Sequence, residues 1–94
     1  MIIRIVKMSF ENEKIDNFLS VFSESKSKIR AYEGCLSLKL LRDDNNKNVF
    51  FTLSKWENTE SLENYRNSEL FKTTWSRTKI LFNDKPQAWS TKLI

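Results

Sequence analysis

The stretch GCLSLKLLRDDNNKNVFFTLSKW, residues 34–56, predicts two antiparallel strands joined by a polar turn. Residues 35–41 and 49–56 both alternate in hydrophobicity, which is typical of strands. In the first of them, the predicted apolar face consists of Leu36, Leu38 and Leu40. The Asp and Asn residues between the two segments favour a turn, because their side chains accept hydrogen bonds from nearby backbone N–H groups. The two strands therefore form a hairpin.

The segment before this hairpin predicts a strand followed by a helix. MIIRIVKMSF is rich in apolar and β-branched residues and predicts a strand over residues 2–10. From Glu13 to about Tyr32, apolar residues recur at helical spacing. These residues are Ile15, Phe18, Leu19, Phe22 and Ile29. Gly34, the only glycine, marks the end of this segment, since glycine takes a positive φ at little steric cost.

The segment after the hairpin predicts two short helices and a last strand. Asn58 and Ser68 are each suited to cap a helix, because their side chains can accept a hydrogen bond from the first turn. Pro86 is expected to stop the second helix, and residues 87–94, QAWSTKLI, predict a strand. The second helix carries one stripe of side chains: Phe71, Trp75, Thr78 and Phe82.

The order βαββααβ predicts an α+β, ferredoxin-like fold with a four-stranded antiparallel sheet. With 94 residues, one Gly and one Pro, the chain leaves no room for a linker, so we expect a single domain over residues 1–94. Both faces of the predicted sheet carry apolar side chains, although helices cover only one of them. A second copy packed face to face is the simplest cover, so we expect a homodimer that forms a dimeric α+β barrel.

Composition argues against several classes of partner. The sixteen basic residues are interspersed with twelve acidic ones, which indicates solvated surfaces rather than a nucleic-acid site. The third strand has no glycine, unlike the aromatic run of RNA-recognition domains. The apolar N-terminal segment is far shorter than the ~20 residues of a membrane span. With no His and one Cys, a metal site is not expected, and the lone Cys favours the cytoplasm.

Four short markers, in this order and spacing, carry a family resemblance: Gly34-Cys35, Trp56-Glu57, Ser68-x-x-Phe71 and Ala88-Trp89-Ser90. With them the chain resembles the antibiotic biosynthesis monooxygenase family, small dimeric ferredoxin-like domains whose two sheets share a barrel. The resemblance implies oxidation of quinols or anthrones by O2 without flavin, metal or haem. In such chemistry the substrate supplies the electrons. The protein supplies an aromatic-walled pocket, a base or water chain, and a donor for the substrate anion.

A sister group on the same fold degrades haem, and this resemblance implies a histidine ligand on the last helix. Aligning by Trp56 and Ser68 places Trp75 at that histidine and Tyr65 at a tryptophan of the sister group. The chain has no histidine, which argues against haem and against proton transfer by histidine. Any base must then be a Tyr, a Lys, a carboxylate or water.

Two sets of side chains are candidates for a substrate site. Trp56, Tyr65 and Trp75 either line a pocket for a planar molecule or pack as core. Arg4 lies among apolar residues in the first strand. It must reach the sheet edge, pair with an acid, or point at an anionic ligand.

The predicted hairpin also carries polar side chains at alternating positions: Ser37, Lys39, Thr52 and Ser54. These side chains form either a polar lining for a ligand or a polar seam at a dimer interface or surface. Cys35 has no histidine to activate it, so we expect a small buried residue rather than a nucleophile.

Two functions stay open at this level. The first is a cofactor-independent monooxygenase or quinol oxidase acting on a small aromatic substrate with O2. The second is a non-catalytic homodimer that binds a hydrophobic small molecule. The space among Trp56, Tyr65 and Trp75 separates them: a hollow favours the enzyme, whereas filling by Leu62, Phe71 and Phe82 weakens it.

Overall fold

A single antiparallel sheet forms one layer of the protein. The computed structural model describes all 94 residues. The strands run in the spatial order β2-β3-β1-β4. Their bounds are Ile2–Ser9 for β1, Cys35–Arg42 for β2, Val49–Trp56 for β3 and Gln87–Thr91 for β4. The predicted hairpin is therefore confirmed as β2 and β3, and the fold is the predicted α+β, ferredoxin-like one.

Three α-helices cover one face of this sheet. A 3₁₀ turn, Asn12–Lys14, leads into α1, Ile15–Arg30, and the helix pair after the hairpin is α2, Thr59–Arg66, and α3, Glu69–Lys79. The helices pack on one another as well as on the sheet. None of them combines the length and the apolar character that a bilayer span requires.

Both predicted helix caps are present. The Asn58 Oδ1 atom accepts a hydrogen bond from the Ser61 backbone N–H at 2.8 Å, and Ser68 Oγ accepts one from the Phe71 N–H at 3.1 Å. Each cap satisfies a backbone donor that the first helical turn cannot satisfy itself. The two caps fix where α2 and α3 begin, and hence where their buried side chains meet the sheet.

The end of α3 differs from the prediction. The helix ends at Lys79, so Pro86 does not stop it. Beyond the helix, Phe82 forms an isolated β-bridge with Phe10, and the Asn83 N–H donates to the Ser9 carbonyl at 3.0 Å. The helix thus ends early because the backbone after it forms hydrogen bonds with the end of β1 instead of a further helical turn. The final strand is also shorter than predicted, since residues 92–94 lie outside the sheet.

A β-bulge at the start of β2 removes Leu36 from the predicted leucine face, whereas Leu38 and Leu40 share the helix-covered face as predicted. Cys35 pairs with Trp56 and Ser37 pairs with Lys55, so Leu36 is an extra residue and is 41% exposed. The bulge places Cys35 and Leu38 on the same, helix-covered face, where both pack in one cluster. Simple alternation along the strand could not reveal this shift.

The buried core consists of two separate clusters between helices and sheet. One surrounds the end of β3 and contains Ile2, Ile29, Cys35, Trp56, Leu62 and Tyr65. The other surrounds the end of β1 and contains Met8, Phe10, Ile15, Phe18, Phe50 and Leu81. The helices therefore pack on the sheet at both of its ends, and the part of the interior between the two clusters belongs to neither.

The other face of the sheet has no cover within the chain. Strand pairing places apolar side chains there from all four strands: Ile3, Ile5, Leu41, Phe51, Leu53 and Trp89. Trp89 is 44% exposed and Leu41 is 47% exposed. An apolar sheet face of this kind is normally covered in solution.

The turn between α1 and β2 requires glycine on two grounds. Gly34 has a φ of +86°, and a Cβ at this position would overlap the Cβ and Oγ atoms of Ser61 in α2. We therefore expect Gly34→Ala to lower the free energy of unfolding by about 2 kcal/mol, as measured by urea denaturation. Glu33→Ala, an exposed neighbour, is the control and should change it by less than about 0.5 kcal/mol. Equal stability of the two variants would contradict this account of the turn.

Candidate functional site

A cavity of about 350 Å³ lies between the sheet and the helices, in the space between the two core clusters. Its roof comes from all three helices and its floor from the helix-covered face of the sheet. Ala88 and Ser90 point to the same side from β4, yet both are exposed. The cavity lining also includes Pro86, Gln87 and Ala88, so the cavity opens along β4.

The strand register explains why the middle of the core is hollow. Four rows of side chains cross the helix-covered face, and the outer two rows carry the large rings of Trp56 and Phe50. The two middle rows carry mostly short or flexible side chains: Leu38, Ser54, Arg4 and Ser90, then Leu40, Thr52, Val6 and Ala88. Because the tall rings hold the helices away at both ends, the short side chains between them leave unfilled space.

A continuous row of aromatic rings runs along the cavity from the end of β3 to the segment beyond α3, and all of its members except Phe82 line the cavity. Trp56 stacks on Tyr65 with ring centroids 4.9 Å apart, and Tyr65 meets Phe71 edge to face at 5.3 Å. Phe71 in turn stacks on Trp75 at 5.9 Å, and Trp75 meets Phe82 edge to face at 5.6 Å. These rings pack on one another and still leave the cavity open. Phe71 thus fills the space between Tyr65 and Trp75, as the core-packing alternative predicts, and the open volume lies between this row of rings and the sheet.

Trp56 and Ser54 form a buried pair on the cavity wall. The Trp56 indole N–H donates a hydrogen bond to Ser54 Oγ at 3.0 Å, and Trp56 is only 1% exposed. This bond occupies the indole donor, so the Trp56 N–H is not available to a ligand. The neighbouring Thr52 hydroxyl makes no hydrogen bond with another group of the chain and is free to meet a ligand.

Tyr65 is the one buried phenol in the cavity lining. Burial raises the pKa of Tyr65 well above its ordinary value, and the nearby Cys35 raises it further. Its hydroxyl has no hydrogen-bond partner within the chain. Tyr65 therefore stays protonated at neutral pH, which makes it a hydrogen-bond donor to a ligand and not a base.

The cavity lining contains three ionisable side chains, Arg4, Tyr65 and Arg66, and neither histidine, carboxylate nor thiol. Proton transfer inside the cavity must therefore use water or the ligand itself. The same lining does not fit haem, because it offers no imidazole or thiolate and its one phenol is held protonated. Cys35 is buried outside the lining, and burial raises the pKa of its thiol despite the opposing charge of Arg30.

Arg4 lies in the middle of β1 and points to the cavity. Its Nη1 atom donates a hydrogen bond to Ser90 Oγ at 3.0 Å. No carboxylate oxygen lies within 4.0 Å of its guanidinium, since the ion pairs of the protein join other residues. Arg4 thus reaches the edge strand and the cavity without pairing with an acid.

Six of the seven candidate residues come together around the cavity: Arg4, Thr52, Ser54, Trp56, Tyr65 and Trp75. The seventh, Ser37, does not. It pairs with Lys55, and Lys39 pairs with Leu53, so both point to the open face of the sheet. The expected polar lining shared with Thr52 and Ser54 is wrong in this respect, because the pairing of β2 with β3 sets Leu38 and Leu40, and not Ser37 and Lys39, opposite Ser54 and Thr52.

Arg66 also lines the cavity, although the sequence did not single it out. It follows Leu62 by four residues, and such residues lie on the same face of a helix. The four-residue spacing from Leu62 was the sequence signal that could have placed Arg66 at the cavity. Its charge made it look like an ordinary surface residue.

A family model described as antibiotic biosynthesis monooxygenase matches residues 1–76 of the sequence. The chain belongs to the antibiotic biosynthesis monooxygenase family. None of the curated proteins matches the sequence. The predicted resemblance is thereby confirmed, and the aromatic cavity described above is that of an antibiotic biosynthesis monooxygenase family member.

Solved structures share the fold of this antibiotic biosynthesis monooxygenase family member. One antibiotic biosynthesis monooxygenase has a TM-score of 0.93 at 19% identity, covering 100% of this chain and 99% of that one. A conserved protein from Methanosarcina mazei Go1 has a TM-score of 0.91 at 19% identity, with coverages of 98% and 92%. Rv0793 from Mycobacterium tuberculosis has a TM-score of 0.91 at 12% identity, with coverages of 99% and 94%. At these identities the likeness concerns the fold.

The buried hydrogen bond from Trp56 assigns Ser54 a structural role that a matched variant can test. Ser54→Ala leaves the buried indole N–H without a partner, so we expect the free energy of unfolding to fall by about 1–3 kcal/mol. Thr52→Val, on the same cavity floor, removes a hydroxyl that bonds nothing in the chain. It should change stability by less than about 0.5 kcal/mol. Chemical denaturation of both variants checks this, and a Thr52→Val loss as large as that of Ser54→Ala would contradict it.

Proposed function

We propose that the protein is a cofactor-independent monooxygenase that oxidises a small planar phenol, of the anthrone or quinol type, with O2 inside the aromatic cavity. The cavity itself carries this proposal. It combines a wall of stacked rings, a protonated Tyr65 hydroxyl without a partner, and the absence of any carboxylate or histidine from the lining. Membership of the antibiotic biosynthesis monooxygenase family supports the same reaction class.

The cavity volume fits a molecule of two or three fused rings. Small-molecule pockets span roughly 300–1,000 Å³, and a cavity of roughly 150 Å³ already accommodates benzene. The volume of about 350 Å³ therefore leaves room for a planar fused-ring substrate but not for a large cofactor. The stacked rings of the wall favour a flat ligand over a bulky aliphatic one.

The proposed chemistry uses the substrate as the electron donor. Water accepts the phenolic proton, and the Tyr65 O–H donates a hydrogen bond to the resulting anion. The electron-rich anion then transfers an electron to O2 and combines with it. For an anthrone, the ring CH2 becomes C=O with one atom of O2, and the other atom leaves as water. For a quinol, two electrons and two protons pass to O2, which gives the quinone and hydrogen peroxide.

Exclusion of bulk water makes the donated hydrogen bond more effective. In a site of low dielectric, a fixed donor stabilises a developing anion more strongly than water does. Tyr65 is buried, and the ring of the fully buried Trp56 stacks on it. Tyr65 is therefore the residue to which we assign stabilisation of the substrate anion.

We also propose that the protein acts as a homodimer in the cytoplasm. The apolar open face from all four strands supports a second copy as its cover. Three lysines share this face, Lys7, Lys39 and Lys55, and their aliphatic stems can pack while the ammonium groups reach the rim. The lone buried Cys35 and the lack of disulfides suit a reducing compartment.

The role of Tyr65 predicts a specific kinetic loss. A hydrogen bond to a charged group contributes about 1.5–3 kcal/mol, so Tyr65→Phe should lower kcat/KM by about 10- to 100-fold. The measurement is O2 uptake with 1,8-dihydroxyanthrone. Tyr32→Phe is the matched control, because the Tyr32 hydroxyl donates to the Asn64 carbonyl and Tyr32 does not line the cavity. That control should keep the wild-type rate.

Two outcomes of this experiment would contradict the proposal in different ways. Equal rates for wild type and Tyr65→Phe would remove Tyr65 from the chemistry. Tight binding of planar phenols and quinols without any O2 uptake would favour the alternative, a non-catalytic dimer that binds a hydrophobic small molecule.

The dimer is tested by a charge placed on the open face. Leu53 lies on this face in the central strand β3, opposite Ile5 and Lys39. We expect the wild type to sediment as a dimer at micromolar concentration and Leu53→Lys to sediment as a monomer. Leu19→Lys, on the exposed side of α1, is the control and should remain dimeric. A monomeric wild type would contradict the dimer.

A further inference from the structure

Two arginines lie at the cavity without a matching number of acids. Arg4 and Arg66 both line it, and the only carboxylate paired with either is Glu63, which accepts from Arg66 Nη1 at 3.0 Å. The three groups together carry a charge of +1. No other carboxylate lines the cavity. One further negative charge would therefore balance this cluster.

Arg4 is the less satisfied of the two. A guanidinium has five N–H donors, yet the Arg4 side chain makes a single hydrogen bond, to Ser90 Oγ. It lies partly buried on the cavity floor between Ser54 and Ser90. Burial lowers the pKa of Arg4, the charge of Arg66 lowers it further, and Glu63 partly opposes both. An arginine remains charged despite such a shift, so a positive charge lies at the cavity largely unpaired.

Arg66 lines the same cavity as Arg4, and its charge lowers the pKa of Arg4. It belongs to the last turn of α2, and its side chain is 41% exposed. Its bond to Glu63 spans three residues along the helix surface, and exposed pairs of this kind stabilise little. Arg66 can therefore redirect one or more donors to a ligand without a large loss elsewhere.

We propose that the substrate carries a carboxylate, which binds between the guanidinium groups of Arg4 and Arg66 while its fused rings lie against the aromatic wall. This inference rests on the proposed function and narrows its substrate class to planar hydroxy-aromatic acids. A carboxylate matches the site because its two coplanar oxygens can accept parallel N–H bonds from one guanidinium edge. The apolar wall alone would accept neutral and anionic rings equally, so the arginines confer the selectivity.

Binding of a matched ligand pair tests the proposal. 2-Naphthoate and 2-naphthamide have the same ring system and nearly the same shape, but only the first is charged. We expect titration calorimetry at neutral pH and low salt to show at least about tenfold tighter binding of 2-naphthoate. Arg4→Gln should remove this preference and leave 2-naphthamide binding within about twofold, which also shows that the cavity stays folded. Arg66→Gln should reduce the preference less, because Arg66 is more exposed.

The control variant is Arg77→Gln, which removes the same charge outside the cavity. Arg77 lies on α3, pairs with Glu24 at 2.8 Å, and is absent from the lining. It should keep the full preference for 2-naphthoate. An equal loss in Arg77→Gln and Arg4→Gln would show general attraction by net charge and overturn the proposal.

Two further results would overturn the carboxylate site. Equal affinity of the wild type for 2-naphthoate and 2-naphthamide would show that the arginines do not select an acid, and failure of both to bind would remove the ligand site altogether. The proposed oxidation is tested separately by the neutral 1,8-dihydroxyanthrone. O2 uptake with that compound alongside equal affinities would retain the oxidation and reject only the carboxylate.

Discussion

The cavity depends on a difference in side-chain size between the rows that cross the helix-covered face of the sheet. Trp56 and Phe50 occupy the outer rows of the helix-covered face, and both are almost completely buried. The rows between them carry Ser54, Thr52, Val6 and Ala88, which are too short to reach the helices. Protein interiors are usually filled to crystal-like density, so a gap of about 350 Å³ in a 94-residue chain requires such a constraint. The large rings hold the helices away from the sheet, and the small side chains between them leave the space unfilled.

The starts of α2 and α3 and the turn before β2 were predictable from the sequence because their determinants are local. A cap such as Asn58 or Ser68 acts within three residues, and Gly34 was identified because its backbone requirement is its own. The bulge at Leu36 and the early end of α3 were not predictable in this way. Each depends on a partner elsewhere: β3 for the bulge, and the end of β1 for the segment after α3.

The same distinction separates the parts of the site that the sequence revealed from those it did not. Trp56, Tyr65 and Trp75 were candidates because aromatic side chains are conspicuous in any sequence. Whether they enclose a hollow depends on rows such as Leu38, Ser54, Arg4 and Ser90, whose members come from four different strands. A shift of one residue in any strand reverses its faces, and the bulge at Leu36 does this to Cys35. The cavity is thus a property of register, which one sequence does not display.

Tyr65 and the two arginines of the cavity offer a ligand different interactions. Tyr65, which is buried and whose pKa is raised, can donate a hydrogen bond but cannot accept a proton at neutral pH. Arg4 and Arg66 supply positive charge, and nothing in the lining supplies a negative one. The lining thus offers a ligand hydrogen-bond donors and positive charge, and no side chain that is a base at neutral pH. In the proposed oxidation, the substrate therefore supplies its own acidity and its own electrons, and its chemistry determines which product forms.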